Sequence, residues 1–223
     1  EVAVGDTIGA GVTSGYAGAN LTITGYIGAN TVTIATDASA KTAASAINGK
    51  TVNTRVPAPA EKTLELSSFD DDTNYKFEIR TSSTQVATVS ATTGSSDVSE
   101  LVTAINDAQG TTGVTASLVD GSTTVIQLKD HDGDTVTLER LDVTAQDLNV
   151  NTVRADGSVS ASTATLASGG GAADSAVQVR GRVNLSSEKS YSVGTAGLGG
   201  DANDKTGTAA LSSALESVAS ISM

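Results

Sequence analysis

Residues 21–48 and 75–106 run through the same order of hydrophobic periods: two short alternating runs, then a stretch of period i, i+3, i+4, i+7 that ends in Ile-Asn. In the first copy, Leu21 to Thr24 and Thr31 to Ala35 read as strands around a Gly-Ala-Asn turn at residues 28–30. Ala40, Ala43, Ala44 and Ile47 then lie on one helical face, with Asp37 or Ser39 available as the cap and Asn48-Gly49 as the stop. In the second copy, "YKFEIRT" and "VATVSATT" read as strands and "SSDVSELVTAIND" as a helix. Its apolar face is Val98, Leu101, Val102 and Ile105, and Asp97 with Glu100 has the spacing of a capping box. Ile47-Asn48 and Ile105-Asn106 close the two helices at equivalent points. A duplicated strand, strand, helix unit is the simplest account, and two copies fall short of the three or more that a solenoid takes.

The rest of the chain supplies strands. "GVTASL", "TVIQL" and "DTVTLERL" alternate and are joined by turns at Asp120-Gly121 and Asp132-Gly133, which predicts a meander with one buried face. Regular pattern is lost over residues 142–176, around Gly169, Gly170 and Gly171. "SAVQVRGRVNL" reads as one strand, with Arg180 and Arg182 on one face and Val179 and Val183 on the other. In the tail, Leu211, Leu215 and Val218 share a helical stripe. Pro57 and Pro59 are the only prolines; each removes a backbone donor, so "RVPAPAEK" is either a stiff connector between lobes or a strand edge. The expected fold is a β-rich α+β chain of short antiparallel sheets and a few short helices in two lobes. Residues 1–56 with 142–223 are expected to form a discontinuous lobe, and residues 60–141 an inserted one.

Composition narrows the function. A formal net charge of −12 opposes nucleic acid and anionic membranes, both of which need a concentrated positive surface. No apolar run approaches the roughly 20 residues that cross a bilayer as a helix. With no cysteine there is neither a disulfide framework nor a thiolate metal site. No tryptophan and only 3% aromatic residues leave a core of small and β-branched side chains and little to stack on a sugar ring. A chain that starts at Glu1 with no initiator methionine is read as a piece of a longer protein.

The patterns that could carry chemistry are weak. "DHDGD" at residues 130–134 suggests a calcium loop, but its glycine falls at the fourth position where an EF-hand has it at the sixth, and Leu141 stands where the bidentate glutamate belongs. A tight acidic turn is the better reading. His131, the only histidine, sits between two aspartates in that turn, whereas a general base needs a positioned partner and a pocket. Gly169–Gly171 lacks the Lys-Ser or Lys-Thr of a phosphate loop. No catalytic, cofactor-binding or metal-binding residue is assigned, and the chain is expected not to be an enzyme.

The segments "TVTIATDASAKTAASAIN" and "VATVSATTGSSDVSELVTAINDAQGTTGVTASL" resemble the insert motif found in the middle of many bacterial flagellins, a short helix ending in Ile-Asn followed by a Thr-Gly-Val-Thr-Ala strand. The first copy departs from it, with "KTVNTRV" where that strand is expected. "HDGDTVTLERL" resembles the acidic turn and strand that follow, and "DSAVQVRGRVNLSSEKSYSVG" with "LSSALESVASIS" resembles the return toward the carboxy-terminal core helix. The resemblance implies the outer domains of a flagellin without its long terminal helices. It further implies an extracellular, structural, non-enzymatic role in the filament and in motility, with neighbouring flagellin subunits as partners and serine and threonine hydroxyls as acceptors for O-glycans. Alone, the chain is then expected to be monomeric, with Glu1 and Met223 at the same end. Rival readings are a filament cap or hook-associated protein, and a carbohydrate-binding β-sandwich of a bacterial surface protein.

Overall fold

A computed structural model describes residues 2–4, 8–10, 17–36, 38–82, 84–143, 146–154, 157–168, 175–195 and 211–212. Two short strands, β1 (Val2–Val4) and β2 (Ile8–Ala10), precede the first copy of the unit. That copy comprises β3 (Ala17–Thr24), β4 (Ala29–Thr36), α1 (Ala40–Asn48) and α2 (Thr51–Thr54). The strand β5 (Ala60–Ser67) leads into the second copy: β6 (Asn74–Arg80), β7 (Val86–Thr92), α3 (Ser99–Asp107), α4 (Gln109–Thr112) and β8 (Val114–Leu118). Then come β9 (Ile126–Asp130), β10 (Val136–Arg140), β11 (Leu148–Val153) and β12 (Val159–Leu166). The last described strands are β13 (Ala176–Val179), β14 (Arg182–Leu185), β15 (Ser192–Thr195) and β16 (Leu211–Ser212).

Alternation does what it should in these strands. Tyr75, Phe77 and Ile79 of β6 turn inward while Asn74, Lys76 and Arg80 face solvent. Every described pairing is antiparallel, and the strands form three sheets. One runs β1-β14-β5-β11-β12, with β9 pairing β5 and β8; a second runs β2-β13-β10-β6-β7; a third runs β16-β15-β3-β4. The fold is therefore the β-rich α+β class that the sequence predicts.

Side chains gather into two cores. The larger contains the aromatic group Phe69, Tyr75 and Phe77 and the face of α3, Leu101 and Ile105. Phe69 meets Tyr75 edge-on at 5.1 Å, and Tyr75 stacks on Phe77 at 6.1 Å. The smaller core is built on Leu21, Ile23, Val32, Ile34 and the alanine face of α1, closed by Val183, Leu185, Tyr191 and Val193. Tyr191 donates its hydroxyl hydrogen to the Leu185 carbonyl at 2.7 Å. One strand serves both cores: Ala60, at the start of β5, packs on the smaller and Leu64 and Leu66 belong to the larger.

Several expectations are corrected. The two cores do not divide the chain at residue 142, because Leu148, Val150, Leu166, Val177 and Val179 all pack in the larger core and the change of core falls at Arg180-Gly181. Fully buried Arg140 fixes this arrangement. Its guanidinium donates to Asp142, to the Gln146 carbonyl at 2.6 Å and to the Leu166 carbonyl at 3.4 Å, and lies 5.3 Å from the Tyr75 ring centre. Residues 142–176, which looked patternless, carry β11 and β12. The three-strand meander is cut short: β8 and β9 pair, but β10 leaves them to lie between β6 and β13 in the other sheet.

"SAVQVRGRVNL" is likewise two strands in two sheets, broken at Arg180-Gly181, and both arginines are buried. Arg182 donates to Glu61 and to the Val153 carbonyl. The turn between β3 and β4 lies at Gly25–Gly28, closed by a 2.9 Å hydrogen bond from the Gly25 N–H to the Gly28 carbonyl, and not at 28–30. Asp97 does not close a capping box; its carboxylate accepts from the Ser99 N–H at 2.9 Å and from the Ser99 hydroxyl, which hold it below the usual carboxylate range. Ser39 caps α1, accepting from the Thr42 N–H at 3.2 Å. Pro57 and Pro59 lie just ahead of β5, tied to β14 and the residue after it: their carbonyls accept from the N–H groups of Ser186 at 3.1 Å and Asn184 at 2.9 Å, so the missing donors are not needed. Leu211 lies in a strand, while Asp37, Gly169–Gly171, Leu215, Val218, Glu1 and Met223 lie outside the described residues.

Candidate functional site

The helix and strand of each unit are joined by a side chain acting as a strand partner. Asn106, at the end of α3, donates its amide N–H to the Ala116 carbonyl at 2.9 Å and accepts from the Ala116 N–H at 2.7 Å. Asn48 does the same to Ala58, at 2.9 Å and 2.8 Å. The correspondence runs at a constant offset of 58 residues through the connecting turn. Thr112 and Thr54 each donate a hydroxyl to the carbonyl four residues back, at 3.1 Å and 3.3 Å. Each hydroxyl also accepts from the N–H two residues on, that of Val114 or Val56. Gly113 takes the left-handed conformation at φ +74°, and Arg55 takes it at φ +56° in the first copy. Only the second copy has the residue that does so without cost.

Asparagine is suited to this because one planar group carries both a donor and an acceptor in the geometry of a peptide. The Ile-Asn pair was visible in the sequence as the end of each helix; its partner ten residues on was not, since only the folded turn returns the strand beneath it. In the second copy β8 continues into a hairpin with β9. In the first, the equivalent segment is not a strand: it carries Pro57 and Pro59, whose carbonyls accept from Ser186 and Asn184, and leads into β5, which pairs with β14.

The acidic turn at 130–134 fastens the second copy's end to the start of the first copy's helix. Lys41 of α1 donates to Asp132 at 3.0 Å and to Asp134 at 2.8 Å, and its backbone N–H donates to the Gly133 carbonyl at 3.1 Å. The hydrogen bonds it donates to Asp134 and then to Asp132 hold the Lys41 ammonium well above its ordinary pKa. Asp130 is buried, which pushes its carboxyl up, against the opposing hydrogen bond from the Asp134 N–H at 2.7 Å. Gly133 sits at φ +74°, and a Cβ there would overlap Ala60. Gly181 lies beneath it, where a Cβ would come within 2.6 Å of the Gly133 oxygen and 2.9 Å of the Ala40 Cβ. His131 is exposed at the tip. The charge of Asp132 and Asp134 is thus directed at an ammonium, and among the described residues no group of three metal-ligating side chains is arranged around an ion. Sequence reasoning did not find Lys41, which no local spacing links to residues 132–134.

Comparison with known proteins bears on the second unit. No curated protein matches the chain. The first unit lies outside the matched residues, and the match spans β6, β7, α3, α4, β8 and β9. Residues 71–130 match the family model of the Flagellin hook IN motif, which relates this chain to flagellar filament proteins.

Proposed function

We propose that the chain is the solvent-facing outer region of a flagellin, a structural and non-enzymatic part of the bacterial flagellar filament. The observation that carries this reading is the family match over residues 71–130, which covers one complete folded unit of strand, strand, helix and returning strand. The duplicated unit extends the reading to residues 17–60. In a filament such a lobe projects from the subunit, keeps the surface hydrated through a net charge of −12, and meets neighbouring flagellin subunits outside the cell. Its contribution to motility is mechanical, and the hydroxyls that line its exposed strands are the acceptors if the filament is glycosylated.

Antibodies raised against this chain and visualised on intact source cells by immunogold electron microscopy test the proposal. Label is expected along the whole filament. The family description itself names the hook, so label confined to the hook junction or the filament tip would assign the chain to a hook-associated or cap protein, and absence of label from the flagellum would overturn the reading.

A further inference from the structure

Three segments meet at one end of the smaller core. The turn between β3 and β4 lies against α2 so closely that a Cβ on Gly25 would overlap the Thr54 carbonyl, and one on Gly28 would lie 3.2 Å from the Asn53 oxygen. The loop after β14 joins them, with the Ser187 hydroxyl donating to the Arg55 carbonyl at 3.3 Å and the Lys189 ammonium 4.7 Å from the centre of the Tyr26 ring. Tyr26 and Ile27 keep 49% of their surface here and Val52 keeps 75%, three of the five large apolar side chains exposed among the described residues. Exposed Lys50, Arg55 and Lys189 rim the patch, with Glu188 in the same loop. None of the three cations makes a salt bridge among the described residues.

The second unit is an internal control. At the constant offset, Gly110 stands for Val52, Ala108 for Lys50 and Gly113 for Arg55, and the turn between β6 and β7 carries Ser82, Thr84 and Gln85 in place of Tyr26 and Ile27. The second unit keeps the same fold with other residues at these positions, so the unit itself does not require this apolar and basic set.

A complementary surface lies on the larger core. Asp71 accepts from the Ser96 N–H at 2.6 Å, and the Val98 N–H donates to Thr123 at 3.1 Å, which gathers Asp70, Asp71, Asp72, Asp97 and Asp120 at one tip. All five are exposed, and residues 66–75, 93–98 and 117–124 contain no lysine or arginine. We infer that the basic-rimmed apolar patch of one copy binds the aspartate tip of another copy, head to tail. Opposite charge on two different faces of one sequence gives a heterologous contact, which adds copies in one direction and does not close a dimer. Three partly exposed side chains cover far less than the roughly 800 Å² per partner of a stable interface, so the contact operates only between copies held at high local concentration. This inference does not rest on the flagellar reading.

Zero-length carbodiimide cross-linking of an equal mixture of ¹⁵N-labelled and unlabelled chain, at about 1 mM, tests it by mass spectrometry of mixed-isotope peptides. Links from Lys50 or Lys189 to Asp70, Asp71, Asp72, Asp97 or Asp120 are expected to dominate. They should fall about fivefold or more in Val52→Asp, in the double substitution Asp70→Asn with Asp72→Asn, and in about 0.5 M salt. Val52 is too exposed for its substitution to unfold the chain, and asparagine suits the left-handed backbone of Asp72 at φ +51°. Mixed links that are absent, or spread evenly over Lys41, Lys76 and Lys129 and unchanged by the substitutions, would overturn the inference. So would links from Lys50 and Lys189 to an added oligo-aspartate without links between copies, an outcome that would assign the patch to a different acidic partner.

Discussion

Replacing Asn106 by alanine removes two hydrogen bonds at a stroke and strips the cover from one residue of a sheet edge. Ala116 is 8% exposed, and its N–H and carbonyl face the Asn106 amide. A net hydrogen bond is worth about 0.5–1.5 kcal/mol, so two give about 1–3 kcal/mol. Asn106 itself is exposed, which lets water reach the abandoned groups and puts the expected loss in the lower half of that span, about 1–2 kcal/mol. Urea denaturation followed by circular dichroism reads this directly: at a slope of about 3 kcal/mol per molar, the midpoint moves down by roughly 0.5 M. Asn106→Asp keeps the acceptor for the Ala116 N–H and loses the donor to the carbonyl, so it should fall between wild type and alanine. Asn48→Ala should cost a similar amount through Ala58. The reasoning fails if Asn106→Ala costs under about 0.5 kcal/mol, or if aspartate is as damaging as alanine.

Three further outcomes follow from the contacts between the cores. Gly133→Ala introduces a Cβ at φ +74° against Ala60 and should cost about 2 kcal/mol or more by thermal or chemical denaturation, whereas Gly121→Ala, at φ +75° in open space, should cost about 1 kcal/mol. Lys41→Met removes a solvent-accessible double ion pair and should change stability by less than about 1 kcal/mol, a difference that should shrink further in high salt. For Glu61, burial pushes the carboxyl up, but the hydrogen bond and charge of Arg182 outweigh it, leaving the folded-state pKa below its ordinary value. The charged form therefore stabilises the fold above the unfolded-state pKa, and that stability is lost as pH falls through the lower folded-state value. The advantage of wild type over Glu61→Gln should thus be full at neutral pH, begin to shrink near pH 4 and vanish below it; a gap that persists unchanged into acid would refute the linkage.

Helices and the two-copy plan were legible in the sequence because they depend on residues three and four apart. Ala40, Ala43, Ala44 and Ile47 are all buried, as are Val98, Leu101 and Ile105. Strand partners were not legible, because pairing is settled between residues far apart. Nothing near "DTVTLERL" says that Leu138 will face Ile79 and Val177 while β9 stays with β8 and β5. The break at Arg180-Gly181 is a matter of space: Gly181 passes under Gly133, and no hydropathy pattern records that crossing. Residues 148–166 were overlooked because small polar residues such as Asn149, Asn151 and Thr163 dilute the alternation, although Val150 and Leu166 are fully buried. At the site, the resemblance of the second unit was carried by contiguous residues and was readable. The bond from Lys41 to Asp132 and Asp134 spans 91 and 93 positions and was not.

The strand β5 begins on the smaller core at Ala60 and ends in the larger core at Leu66, paired on its way with β14, β9 and β11. Mechanically, this makes the joint between the cores a lap joint and not a hinge. A load applied to one core passes to the other as shear along antiparallel ladders, in which several hydrogen bonds must yield together, whereas a flexible linker would let the cores swing and transmit nothing. Arg182 on Glu61 and Lys62 on the Arg180 carbonyl rivet the overlap at its start. For a body exposed to viscous drag, such a joint keeps the two cores turning as one piece.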